Sequence, residues 1–167
     1  MDADFGGLTF YIRLLHIISG IMWIGLLWYF NFVQIPTMPK IPNELKPAIG
    51  KHIAPAALFW FRWGAAFTVL FGLILAYVNG YLGEALALGA TSGYVKDTLI
   101  GFGMWFGLIM AFNVWFIIWP KQKIALGMVE AGDEDKKKAA RTAMLFSRTN
   151  TMLSIPMLFC MVSYSHY

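Results

Sequence analysis

The sequence predicts an all-α fold: an integral membrane four-helix bundle with both termini on the periplasmic side. Three observations predict it. Of the 167 residues, 59% are hydrophobic and only 13% charged, and the mean hydropathy is +0.62, whereas a soluble domain is about half apolar and a quarter charged. Four apolar stretches reach the roughly 20 residues that a helix needs to cross a bilayer. The basic residues gather in two of the loops between those stretches. The length allows one domain, a single transmembrane domain over residues 1–167.

The first span is expected from about Leu8 to Val33 and the second from about Pro55 to Tyr77. The third covers about Thr98 to Trp119, and the fourth about Ala143 to Tyr164. The run "GYLGEALALGATSGY" between the second and third is too short and too rich in glycine to span, so it predicts an interfacial loop or short helix. Pro120 falls at the cytoplasmic end of the third span and Pro156 inside the fourth, and each removes a backbone donor. In "AGDEDKKKAAR", Gly132 is expected to end one helix and Asp133 to cap the next, giving a solvated cytoplasmic hairpin.

Loop charge sets the direction. Residues Gln34 to Ala54 carry Lys40, Lys46 and Lys51, and residues Lys121 to Thr142 carry Lys121, Lys123, Lys136, Lys137, Lys138 and Arg141. The opposite side offers Asp2, Asp4, Glu84, Lys96 and Asp97. The positive-inside rule then places the lysine-rich loops in the cytoplasm of a bacterial inner membrane. The net charge of +4 is thus an orientation signal, and no nucleic-acid partner is expected. The single cysteine, Cys160, excludes an internal disulfide and a cysteine-based metal cluster. The acidic start "MDADFGG" is unlike a cleavable signal peptide, so the first helix is expected to direct its own insertion.

Ionisable residues within spans are costly and are candidate functional groups. Here they are Arg13, His16, Arg62 and Arg148, with Asn113 and Asn150 as uncharged polar company and no Asp or Glu deep in any span. That pattern argues against a proton-relay transporter and against a site for hard cations. Arg13 and His16 are three residues apart and share a helix face. At about 1.5 Å rise per residue, His16 lies about 12 Å below the periplasmic end of its span. His166 lies at the periplasmic end of the fourth span, whereas His52 is on the cytoplasmic side.

Two histidines on different helices of a bundle suit a b-type haem held between imidazoles. His16 and His166 are the candidate iron ligands, and Arg13 can meet a haem propionate. Ser19 and Gly20 are small enough to admit a flat macrocycle beside His16. The alternatives are plain: an intramembrane His also serves as an interhelical hydrogen bonder, an Arg near a span end also snorkels, a terminal His is also simply solvated, and a Met can replace the second ligand. Arg62 and Arg148 are read as snorkelling or lipid-contacting residues. In "GFGMWFG", Gly103 and Gly107 have the four-residue spacing of close helix contacts, either inside the chain or in an oligomer.

Three stretches together resemble a known family: "LLHIISGIMWIGLLWYF", "MWFGLIMAFNVWFIIWPKQK" and "SRTNTMLSIPMLFCMVSYSHY". They are similar to the transmembrane domain of the membrane-bound, cytochrome-c-linked urate oxidases (the PuuD type), as a short stand-alone version. Asn113, Pro120 and Gln122 match that family's "N-V-x-F-x-x-x-P-x-Q" pattern. Pro156, Phe159, Met161, Ser163, His166 and Tyr167 match its last helix. The chain departs from the pattern at Phe59, Gly64 and Thr149, where the family has His, Glu and His. The resemblance implies the fold and a haem-type site, and the departures put urate oxidation in doubt.

The expectation is a haem b-binding membrane protein with an electron-transfer role. Its implied partners are membrane lipid, further membrane subunits of a larger respiratory or oxidase complex or copies of itself, and a periplasmic cytochrome c. The rivals are a haem-free structural or assembly subunit and a small-molecule, urate-type oxidase.

Overall fold

The structure, a computed structural model, describes residues 5–166. Asp2, Asp4 and Tyr167 lie outside them. All regular elements among the described residues are helical. This is what long apolar runs require in lipid, where backbone N–H and C=O groups must find their partners within the helix.

Helix α1 is Phe5–Trp28. It continues through a π-helical segment, Tyr29–Gln34, and two short turns that carry Pro36 and Pro39. The chain leaves helical geometry at Ile41. A second π-helical segment, Ile49–Ile53, leads into α2, Ala54–Val78, with Pro55 two residues past the segment, where its missing N–H leaves the preceding turn without a donor. Gly80 takes φ +75° after it. The glycine-rich connection holds the short helix α3, Leu82–Leu86, in line with the loop or short helix expected there. Helix α4 is Val95–Phe112, followed by a third π-helical segment, Asn113–Ile118, and α5, Trp119–Ala125, with Pro120 as its second residue. Helix α6 is Asp133–Ser163 and runs on through Pro156.

The glycine that ends α5 is Gly127, at φ +72°. Gly132, expected in that role, is instead the extended residue before α6. A glycine stops a helix through the left-handed geometry that satisfies the last carbonyls, and Gly132 has φ −66°. Asp133, expected to cap α6, is its first residue, and Gly132 holds the cap position with no side-chain cap bond; Asp133, Glu134 and Asp135 occupy the first turn, where they complement the helix dipole.

Among the described residues, three continuous helical runs are long and apolar enough to cross a membrane: Gly7–Lys40, Lys46–Val78 and Val95–Ala125. They contain the first three expected spans. The first third of α6 is charged, and the apolar remainder lies alongside α4.

The core sits toward the end of the bundle that holds the lysine-rich loops. Trp23, Leu27 and Phe30 meet Leu58, Phe61 and Ala65 of α2, with Met110, Val114 and Ile118 from the third run and Ala143 and Met157 from α6. Phe10, Ile21, Trp60, Phe116, Met152 and Phe159 point outward and are exposed, the arrangement a lipid-facing exterior needs. Gly103 packs against Cys160 and Met161, and Gly107 against Met157. The four-residue glycine spacing therefore serves the internal α4–α6 contact.

Candidate functional site

Helices α1 and α2 approach closely because small residues line their contact. A Cβ on Gly64 would lie 3.1 Å from the backbone nitrogen of Trp23, and one on Gly20 would meet Thr68 at 3.8 Å. One turn further, Gly72 faces His16: a Cβ there would lie 2.9 Å from Cε1 and 3.0 Å from Nδ1. The imidazole thus occupies a notch that glycine leaves in α2.

Its Nδ1 lies 2.8 Å from the carbonyl oxygen of Thr68. A carbonyl can only accept, so Nδ1 carries the proton and the bond fixes the tautomer. Nε2 then bears the lone pair. Among the described residues it has no hydrogen-bond partner, and the side chain is half-buried. Ser19 and Gly20, expected to admit a macrocycle, instead pack on α2: the Ser19 carbonyl and Gly20 both lie within contact distance of its small-residue face.

Arg13, one turn nearer the α1 N-terminus, is exposed. It acts electrostatically on Tyr81 and on Tyr164. Those two rings touch, with centroids 5.2 Å apart. Burial, with help from Tyr164, pushes the Tyr81 phenol up to about 12, and Arg13 opposes the rise. Asp97, 6% exposed in the first turn of α4, acts on Tyr164 from the other side. His166 lies two residues beyond Tyr164 in the terminal 3-10 turn and is exposed. The fold therefore brings Arg13, Tyr81, Tyr164 and the chain terminus with His166 to one end, above His16. His52 sits in the π-helical segment before α2, at the other end.

A second polar region joins α6 to its neighbours. Asn113 donates to Asn150 Oδ1 at 2.8 Å, and Asn150 donates to the Met110 carbonyl at 2.9 Å. Asn31 donates to Ser147 at 2.8 Å, and the Trp28 indole donates to Ser154 at 3.0 Å. Asn150 and Ser154 are fully buried, and such groups are stable in an apolar surrounding only when paired. Arg62 stacks on Trp119, with its guanidinium carbon 3.5 Å from the ring centroid. It is thus packed against an aromatic face, beyond the snorkelling expected of it. Arg148 is exposed on α6.

Gly72 and Thr68 escape a search for ionisable and amide side chains, although Gly64, Thr68 and Gly72 recur every four residues, the spacing of a close helix contact. Ser147, Thr151 and Ser154 give α6 the same kind of face.

Residues 89–167 match a family model described as urate oxidase N-terminal. No curated protein matches the chain, and no solved structure does. The matched region holds α4 to α6, with Asn113, Asn150 and His166; Arg13 and His16 lie before it. It supports a relation to urate-oxidase proteins over the second half of the chain.

Proposed function

We propose that this chain is a haem b-binding protein of the bacterial inner membrane that takes part in electron transfer. His16 would hold the haem iron and Arg13 would meet a propionate. The observation that carries the reading is the His16 notch. A metal-binding imidazole is usually held by a hydrogen bond from its other nitrogen to a carbonyl or carboxylate. Here the Thr68 carbonyl supplies that bond and Nε2 is left to donate its lone pair. When bound, the haem supplies a reversible one-electron couple at its iron.

The chain's own residues set the conditions. Thr68 orients the ring and keeps the proton on Nδ1. Gly72 lets the ring lie against α2. The apolar flanks keep water from the ligand. Arg13 adds positive charge at the end where propionates would reach the aqueous interface. His166 is the proposed second ligand, since the terminal turn that carries it sits at Arg13's end.

We place four spans in the membrane, the fourth formed by the apolar part of α6. Gly103 on Cys160, Gly107 on Met157 and Asn113 on Asn150 keep it alongside α4. Both termini are then periplasmic, where a cytochrome c can reach the site, and the broad exposed apolar exterior suits lipid and further subunits. The test is the visible spectrum of the purified full chain. A Soret band with b-type peaks on reduction is expected, and a colourless preparation from haem-replete cells overturns the reading.

The family match favours a second reading, a small-molecule oxidase of urate type. Reduction of the bound haem on adding urate separates it from an electron carrier.

A further inference from the structure

Arg62 is a cation without an anion. It lies on α2, well inside the run Lys46–Val78. Its guanidinium carbon lies over the ring of Trp119 of α5, 3.5 Å from the centroid, with Trp115 at 5.7 Å. An indole ring supplies no acceptor oxygen to a guanidinium placed over it. The five N–H donors lie in the guanidinium plane and remain to be satisfied. Nε is sealed from solvent and has no acceptor among the described residues. Lys123 stands over the same indole at 5.7 Å. Neither cation has an acidic partner: the ion pair formed among the described residues is Lys137 with Glu134.

Two cations on one indole, at the membrane depth of a helix end, call for a ligand that is anionic and offers several acceptor oxygens. A phosphoryl group has both properties and takes an Arg fork in bidentate fashion. The surroundings favour a phosphoryl group that carries acyl chains. Trp63, Phe67 and Phe71 form a column of rings along α2, with centroids 5.8 and 6.0 Å apart, and Trp63 also meets Trp115 at 5.6 Å. Trp63 and Phe67 are exposed. The column starts beside Arg62 and leads toward the bilayer middle, the path an acyl chain would follow below its headgroup. Basic sites between helices at the cytoplasmic side recognise anionic lipids by this combination.

We infer that Arg62 and Lys123, held on the Trp119 indole, bind the headgroup phosphate of an anionic phospholipid of the cytoplasmic leaflet, with its acyl chain along Trp63 and Phe67. This site is separate from His16, and it needs no haem.

The test is lipid retention by the full chain, purified from a bilayer of equal parts phosphatidylcholine and phosphatidylglycerol, with bound lipid counted by native mass spectrometry. Wild type is expected to retain phosphatidylglycerol over phosphatidylcholine. Arg62→Gln should lower that preference on the order of tenfold, the effect of losing a hydrogen bond to a charged group. Lys123→Gln, at the mobile end of a lysine side chain, should lower it less and leaves the stacked pair intact if Arg62→Gln fails to fold. Equal retention of both lipids by wild type, or an unchanged preference in Lys123→Gln together with a folded Arg62→Gln, overturns the inference. Displacement of the retained lipid by millimolar inorganic phosphate alone would assign the site to free phosphate and overturn the lipid.

Discussion

The imidazole of His16 donates from Nδ1 to the Thr68 carbonyl at 2.8 Å, so one bond between two helices decides which ring nitrogen faces a further partner. The same bond makes the α1–α2 contact part of the site. Anything that moves α2 against α1 moves the ligand.

His16→Ala should therefore abolish haem retention. Gly72→Ala should do nearly as much with the ligand still present, because the new Cβ would fall 2.9 Å from Cε1 and the ring must leave the Thr68 carbonyl. Haem per protein, from the pyridine haemochrome spectrum, measures both. His166→Ala should match His16→Ala as the second ligand. Full haem with an unchanged spectrum in Gly72→Ala would show that the notch does not hold the ligand. The same result in His166→Ala would remove that residue from the ligand set.

Arg13 should matter less than His16. Losing a charge-assisted hydrogen bond costs about 1.5–3 kcal/mol, so Arg13→Ala should weaken haem retention or shift the midpoint potential without emptying the site. A redox titration of the membrane-embedded protein reads the shift. Arg13→Lys should restore most of it, since charge at that point is what the propionate sees. An Arg13→Ala protein with wild-type retention and potential would leave Arg13 only its effect on Tyr81 and Tyr164.

Reporter fusions test the direction of insertion. A fusion after His166 should report the periplasm and one near Asp135 the cytoplasm, as the lysines of the loops require. The opposite result would move the His16 end of the bundle to the cytoplasm and remove a periplasmic cytochrome c as its partner.

The buried amide pair offers a stability test. Asn150 is fully buried, accepts from Asn113 and donates to the Met110 carbonyl. Asn150→Leu should cost about 1–3 kcal/mol, because it leaves the Asn113 amide unpaired. Asn113→Leu combined with Asn150→Leu should cost less than the two single changes summed, since no half of the pair remains. Thermal unfolding in detergent gives the cycle, and simple additivity would mean that the pair contributes nothing as a pair.

What was legible in the sequence follows from contrast. Arg13, His16, Arg62, Asn113 and Asn150 stand out because polar residues are rare in apolar stretches; the first four lie on helical runs long and apolar enough to span, and Asn150 lies on α6. Their partners did not stand out. Thr68 contributes a backbone carbonyl, which every residue has, and Gly72 contributes an absence of side chain. Trp119 is one aromatic among many until the fold lays Arg62 on it. Helix ends were read less well than helices: Gly127 and Gly132 look alike in sequence, and only the backbone dihedral tells the stop from the start. The π-helical segments were marked in the sequence but not read there: each ends two residues before a proline, Pro36, Pro55 or Pro120, which has no N–H to give the preceding turn and crowds it.

The Tyr81–Tyr164 contact predicts how stability changes in alkali. Burial and the neighbouring Tyr164 raise the Tyr81 phenol from 10.0 to about 12 in the folded protein, against the pull of Arg13. Below pH 10 the phenol is protonated in both states and contributes no pH dependence. Between pH 10 and about 12 the unfolded chain gives up the proton first, so it binds fewer protons than the native state and stability falls as pH rises. Beyond about 12 both states are ionised and the loss stops growing. Tyr81→Phe should flatten this part of the profile. Arg13→Ala, by removing the opposing charge, should push the phenol higher and widen the window. Unfolding midpoints across this alkaline range, with phenolate absorbance followed in parallel, check both. A Tyr81→Phe profile as steep as wild type would mean that other groups, not the buried ring contact, carry the alkaline loss.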